Sequence, residues 1–164
     1  MITQFFNPLP QQQIVLPWIL TLLLLLTAPA TVHAQFRYTT NNGTITITGY
    51  TGPGGAVVIP SSTNGYPVTS IGTAAFQFIS SITSVTIPNS IASIGTQAFR
   101  RCSGLTDISI PEGVTSIGDQ ACFECPRLTS ITIPGTVTNI GTYAFAGCQS
   151  LDAITVSMAN VLDM

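Results

Sequence analysis

The dipeptide Ile-Gly returns at Ile71-Gly72, Ile94-Gly95, Ile117-Gly118 and Ile140-Gly141, each time after 23 residues, and few folds accommodate a period that strict. The four units, residues 68–90, 91–113, 114–136 and 137–159, align without a gap. Their apolar columns barely change while the positions between them vary among small polar residues. One column reads Val68, Ile91, Val114, Val137; others read Ile82, Leu105, Leu128, Leu151, then Val85, Ile108, Ile131, Ile154, then Ile87, Ile110, Ile133, Val156. A single 23-residue coil cannot bury these faces, so they must bury against the equivalent faces of neighbouring coils. Each buried Ile or Leu then contributes about 1.5–3 kcal/mol.

Within a unit, a segment such as 128–134 (LTSITIP) alternates apolar and polar and is β-branched, which predicts one parallel strand per coil. Pro88, Pro111 and Pro134 follow and cannot donate to a ladder, so they are expected to end these strands. The Val-x-x-Ile-Gly stretch predicts a second short extended segment. The Ala-Phe-x-x-Cys stretch (Ala98, Phe99, Cys102; Ala144, Phe145, Cys148) has i, i+3 spacing and predicts a short helical turn with Phe and Cys facing inward.

The resulting pattern, I-G-x-x-A-F-x-x-C-x-x-L-T-x-I-x-I-P, resembles the BspA-like leucine-rich repeats of bacterial secreted and surface proteins. The lead-in GTITITGYTGPGGAVVIPSSTNGYPVTSIG resembles the N-terminal approach of such proteins. The resemblance implies a right-handed leucine-rich-repeat solenoid, mostly β, of four coils with short parallel strands, and an extracellular or cell-surface setting. It implies no particular ligand.

Ahead of the repeats, residues 35–67 read as an N-terminal cap. Asn42-Gly43 between two Thr- and Ile-rich runs predicts a two-residue β-hairpin, and Val57-Val58-Ile59-Pro60 mirrors Val85-Thr86-Ile87-Pro88 as a degenerate half-coil. Its five extra residues fall in the turn 61–67. At the other end, unit four carries Ser157 in the proline column and leads into residues 160–164 with no evident polar cap. Either the apolar tail (Met158, Val161, Leu162, Met164) folds over Ile154 and Val156, or the sequence is a truncated or minimal relative of longer repeat proteins such as a surface adhesin, or that end self-associates.

Residues 1–34 have a different character. The run 14–26 (IVLPWILTLLLLL) followed by TAPATVHA reads as an export signal cleaved after Ala34. Its 13-residue core is shorter than the ~20 residues a bilayer span needs. The stretch before it lacks Lys and Arg, which leaves the usual positive charge to the terminal amine. Cleavage leaves no membrane span and removes His33, the only histidine. The exported part then holds neither His nor Lys, and its net charge of −2 forms no basic patch for nucleic acid.

That composition argues against an enzyme. Ser/His/Asp and Cys/His chemistry needs a base to activate the nucleophile, and the scattered carboxylates Asp107, Asp119, Glu124 and Asp152 read as solvated charges. Arg101 and Glu124 share a column in successive coils and predict an exposed ion pair. Cys102, Cys125 and Cys148 occupy a column where unit one has Ile79, and Cys122 stands in the column of Phe76, Phe99 and Phe145. Both placements predict core thiols, with a disulfide between stacked coils as the alternative. Cys122-x-x-Cys125 has no second pair of ligands, so neither a metal site nor a cofactor is expected.

The remaining candidate is the outward face of the main strands: Ser84, Thr86, Asp107, Ser109, Ser130, Thr132 and Thr155, with Ala153 interrupting. This small hydroxyl-rich surface either solubilises a sheet or receives a protein or glycan partner. Phe78 and Phe123 are expected to add exposed aromatic contacts, and Asn42-Gly43-Thr44 matches a glycosylation acceptor.

Overall fold

The structure is a computed structural model that describes residues 35–157. The expected export signal and the tail after Ser157 lie outside the described residues. The chain is a β-solenoid of about five turns, and each full coil lays down two short strands on two walls. The first wall starts with β1 (Phe36–Asn41) and β2 (Thr44–Tyr50), antiparallel about Asn42-Gly43, whose φ angles of 46° and 78° are the left-handed pair a two-residue hairpin requires. From β2 the sheet runs in parallel through β5 (Tyr66–Ile71), β7 (Ser93–Ile94), β9 (Ser116–Ile117) and β11 (Asn139–Ile140). The expected surface turn at 61–67 is itself a small hairpin. In it β4 (Ser62–Thr63) returns on β5 through Asn64-Gly65, with φ 51° and 79°.

The second wall holds β3 (Gly55–Val58), β6 (Ile82–Thr86), β8 (Asp107–Ser109), β10 (Ser130–Pro134) and β12 (Ala153–Ser157). Parallel pairing of β3 with β6 supports the half-coil reading. The wall is not one continuous sheet: β3-β6-β8 form one ladder, β10-β12 another, and no ladder joins β8 to β10. Inward residues from both walls, among them Val85, Ile94, Leu105, Ile108, Ile117 and Ile131, fill the interior. Phe76 and Phe99 stack at 5.0 Å between ring centres, and Phe36 and Tyr50 of the hairpin continue that aromatic column to the N-terminal end.

One local expectation is corrected. No helix occurs among the described residues; the Ala-Phe-x-x-Cys stretch is a chain of tight turns. Ala74, Gln97, Gln120 and Tyr143, and again Phe78, Arg101 and Glu124, have φ between 54° and 63°, with Gly147 at 77°. A left-handed residue every fourth position prevents a helix from propagating. The consequence is visible in the hydrogen bonds. Ala75, Gln77 and Ile79 donate within the turn to the third residue back, while Ala74, Phe76 and Phe78 donate to Thr96, Ala98 and Arg100 of the next coil. A helix would consume all of these N–H groups internally, whereas the alternating turns reserve half for stacking.

The three prolines end their strands as expected, from slightly different positions. Pro88 and Pro111 lie beyond β6 and β8, but Pro134 is the last residue of β10, opposite Ser157. No strand is laddered to β10 on its other side, so the missing N–H interrupts nothing there. Finally, the fourth coil is the most exposed of the described coils. Ile140, Tyr143, Ile154 and Val156 are exposed, although Ile117, Ile131 and Ile133 in the same columns as three of them are buried.

Candidate binding face

Outward alternation along the second wall brings the predicted face together. Thr86, Asp107, Ser109, Ser130, Thr132 and Thr155 are exposed and Ser84 is half-buried. Cross-strand register places Ser84 beside Asp107, Thr86 beside Ser109, Ser130 beside Ala153 and Thr132 beside Thr155. Each residue therefore sits in a row that runs along the solenoid axis. The face is longer than the sequence suggested, because Ala56 and Val58 of β3 stand next to Ser84 and Thr86 and are exposed. The likeness of Val57–Pro60 to Val85–Pro88 carried that signal.

The interrupted ladder divides this face. Between β8 and β10 lies an open cleft of about 360 Å³, bordered by Asp107 and Ser109 on one side and Ser130 and Thr132 on the other, with Ile108, Ile110 and Ile131 lining it. Four of the seven predicted residues thus converge on one depression, a carboxylate among three hydroxyls. Such a set both donates and accepts hydrogen bonds over a few ångströms.

The turn side of the solenoid carries the other polar cluster. Arg100 is held between Phe78 and Phe123, with its guanidinium carbon 5.8 Å and 5.5 Å from the two ring centres. Its Nε is buried without a hydrogen-bond partner. Phe78 is exposed as expected, while Phe123 is half-buried against this arginine. Arg101 pairs with Glu124 through Nε, as the shared column predicted. A shallow cavity of about 560 Å³ opens beside that pair, lined also by Ser103, Pro126, Gly147 and Gln149. The arginine sandwich was not apparent in the sequence, because Phe123 shares the column of Arg100 one coil on while Phe78 lies one column over in the preceding coil, so no single column displays it.

The cysteines are free thiols, with Cys102, Cys122 and Cys125 buried and Cys148 half-buried. Burial pushes the Cys102 thiol up to about 12, against a smaller opposing effect of the Ile79 backbone. Burial likewise raises Cys122, with further contributions from Cys148 and Cys102. Cys125 is raised chiefly by its hydrogen bond to Cys148, then by burial. That same bond lowers Cys148 to about 7, against desolvation. Among the described residues no His, Cys, Asp and Glu grouping suits a metal ion, and no helix is long and apolar enough to cross a membrane.

The family profile described as BspA type leucine rich repeat region matches residues 58–161 in six copies. The chain belongs to this family. A crystal structure of a leucine-rich repeat protein from Bacteroides capillosus superposes with a TM-score of 0.70 at 34% identity, covering 76% of this chain and 95% of that one. The leucine-rich repeat protein of T. pallidum superposes with a TM-score of 0.62 at 29% identity, covering 74% and 68%. One from Bacteroides ovatus superposes with a TM-score of 0.56 at 34% identity, covering 74% of this chain and 39% of that one. No curated protein matches the chain. The BspA-type repeat accounts for the solenoid and its columns, and the face residues occupy that repeat's variable outward positions.

Proposed function

We propose that the chain is a non-catalytic binding module, exported to the outside of the cell, that receives a protein or glycan on the face formed by β3, β6, β8, β10 and β12. The observation that carries this reading is the cleft between β8 and β10, where Asp107, Ser109, Ser130 and Thr132 surround a break in the ladder. A continuous ladder offers a ligand only a flat surface. A cleft in the middle of a hydroxyl-rich face offers depth and convergent hydrogen-bonding groups. Export is supported by the apolar run at 14–26 and the small-residue stretch after it, and the absence of His and Lys beyond residue 34 supports a non-catalytic role.

The test is binding of the full chain to panels of glycans and of extracellular proteins, repeated with Ser130→Arg/Thr132→Arg. These side chains are exposed, so the substitutions fill the cleft without entering the core. We expect loss of at least about tenfold in affinity, the scale of one hydrogen-bonding centre. Unchanged binding would rule out the face.

A second reading, self-association through the fourth coil, has its own observation in the exposed Ile140, Ile154 and Val156. Pairing of two fourth coils through the same exposed patch is isologous and closes at a dimer. Sedimentation of the full chain with and without Ile154→Arg decides it: a concentration-dependent dimer abolished by the substitution supports this reading, and a monomer at all concentrations overturns it.

A further inference from the structure

Cys102, Cys125 and Cys148 form a column with one thiol per coil, and the thiols do more than fill space. Cys102 donates to the carbonyl of Phe76 at 3.0 Å, Cys125 to that of Phe99 at 3.1 Å, and Cys148 to that of Cys122 at 3.1 Å. Equivalent positions of successive coils lie about one strand spacing apart, as the in-register pairing of Ile71, Ile94, Ile117 and Ile140 and the 5.0 Å stacking of Phe76 on Phe99 show. A disulfide needs Cα atoms ~4.4–6.8 Å apart. Neighbouring members of the column therefore stand at bridging range without backbone rearrangement.

One pair differs from the others. Cys125 and Cys148 are consecutive members of the column, each thiol donating to a carbonyl of the preceding coil, and of the neighbouring pairs theirs alone includes a thiol that is not closed in. Cys148 is also the only half-buried cysteine, because the described coils end with its own, whereas Cys102, Cys122 and Cys125 are closed in. An external reagent thus reaches Cys148 first and finds Cys125 directly behind it.

We propose that Cys148 is a thiol-modification site for low-molecular-weight disulfides, with Cys125 as its resolving thiol, so that oxidation ends in a Cys125–Cys148 bond joining coils three and four. The Cys148 thiolate attacks one sulfur of a reagent such as oxidised glutathione. The reagent's S–S bond breaks, one glutathione leaves as thiolate and takes up a proton, and the other stays on Cys148 as a mixed disulfide. Cys125 then loses its proton to solvent and attacks the Cys148 sulfur, expelling the second glutathione. Two protein thiols are oxidised and one external disulfide is reduced to two thiols, so no further oxidant is required. The lowered thiol of Cys148 and the raised thiol of Cys125 match these roles, since the attacking sulfur must be the anion and the resolving one waits. The bond fastens down the coil with the most exposed apolar side chains, and it is independent of any ligand on the strand face.

The reduced full chain is incubated folded with oxidised glutathione, quenched by alkylation, then denatured and mapped by mass spectrometry. The expected product lacks two hydrogens and yields a linked Cys125–Cys148 peptide, with Cys102 and Cys122 alkylated only after denaturation. Cys125→Ala should instead trap glutathione on Cys148, and Cys148→Ala should leave every thiol unreacted in the folded chain. The proposal is overturned by a Cys148 that stays free, by an adduct that persists on the unsubstituted chain, or by a bond involving Cys102 or Cys122.

Discussion

Replacing Gly118 by alanine puts the repeat's most regular feature under direct test. Gly72, Gly95, Gly118 and Gly141 each face the backbone of the preceding coil closely, and at Gly118 an added Cβ would lie 2.5 Å from the Thr96 nitrogen and 2.7 Å from the Gly95 carbonyl carbon. Both neighbours are backbone, so no side chain can swing aside. Ordinary contact begins at 3.4 Å, so coils two and three must separate locally by roughly 0.9 Å. The seam bonds beside that contact are Gly118 N–H to Ile94 at 2.8 Å and Gln97 N–H to Asp119 at 2.8 Å. Stretched to roughly 3.7 Å, both leave the hydrogen-bonding range. Two half-buried backbone bonds lost cost about 1–3 kcal/mol, a sizeable share of the ~5–15 kcal/mol that holds a domain together.

Urea unfolding of the full chain followed by circular dichroism measures this, with Gly49→Ala as the matched control. At Gly49 the new Cβ meets only the Arg37 side chain, at 3.4 Å and beyond, so the control should be neutral or more stable by about 0.5–1 kcal/mol. Because each coil depends on its neighbours alone, Gly118→Ala should also broaden the transition by weakening one seam. Amide exchange should quicken at Gln97 and Gly118 before it does at Ile94 or Phe76. A Gly118→Ala chain within about 0.5 kcal/mol of the parent would refute the argument that backbone approach fixes this column.

Phe99, fully buried and stacked on Phe76, should cost about 3–5 kcal/mol when changed to alanine, read by the same urea titration. Tyr143→Gly should raise stability by about 1 kcal/mol, because an exposed non-glycine residue held at φ 58° is relieved and little packing is lost; a lower melting temperature would contradict it. The reaction of Cys148 with a small disulfide should quicken as pH rises through about 7 and level off above it. An ordinary thiol would still be accelerating at pH 8.5, its unperturbed value being about 8.5. The titratable groups facing Cys148 are Cys125 and Cys122, both held protonated in that range, so the profile should show a single step.

Most of the fold was legible because a solenoid gives every residue of a column the same neighbours, so Val85, Ile108 and Ile131 repeat one environment and the alignment displays it directly. The turns were not legible for the same reason that made them look helical. Phe99 and Cys102 point inward at i, i+3 spacing whether the backbone is a helix or a chain of left-handed turns. Gln97, Arg101, Glu124 and Tyr143 carry no turn signature, and among the left-handed positions of the repeats only Gly147 betrays the conformation. The cleft was equally hidden, because β8 and β10 carry the same alternation and differ only in whether their ladder closes.

Column identity also says nothing about position along the stack, and there the chemistry diverges. Ile131 and Ile154 are the same residue in the same column, yet one is buried and the other exposed. Cys102 and Cys148 are likewise equivalent by alignment, but burial drives the first thiol up while contact with Cys125 brings the second down. Among the described residues, the fourth coil is where members of the packing columns meet solvent. The fourth coil is therefore where substitutions in otherwise interchangeable columns should give different phenotypes. Cys148→Ala should abolish oxidation, while Cys102→Ala, two coils further into the stack, should change stability and leave oxidation of the Cys125–Cys148 pair intact.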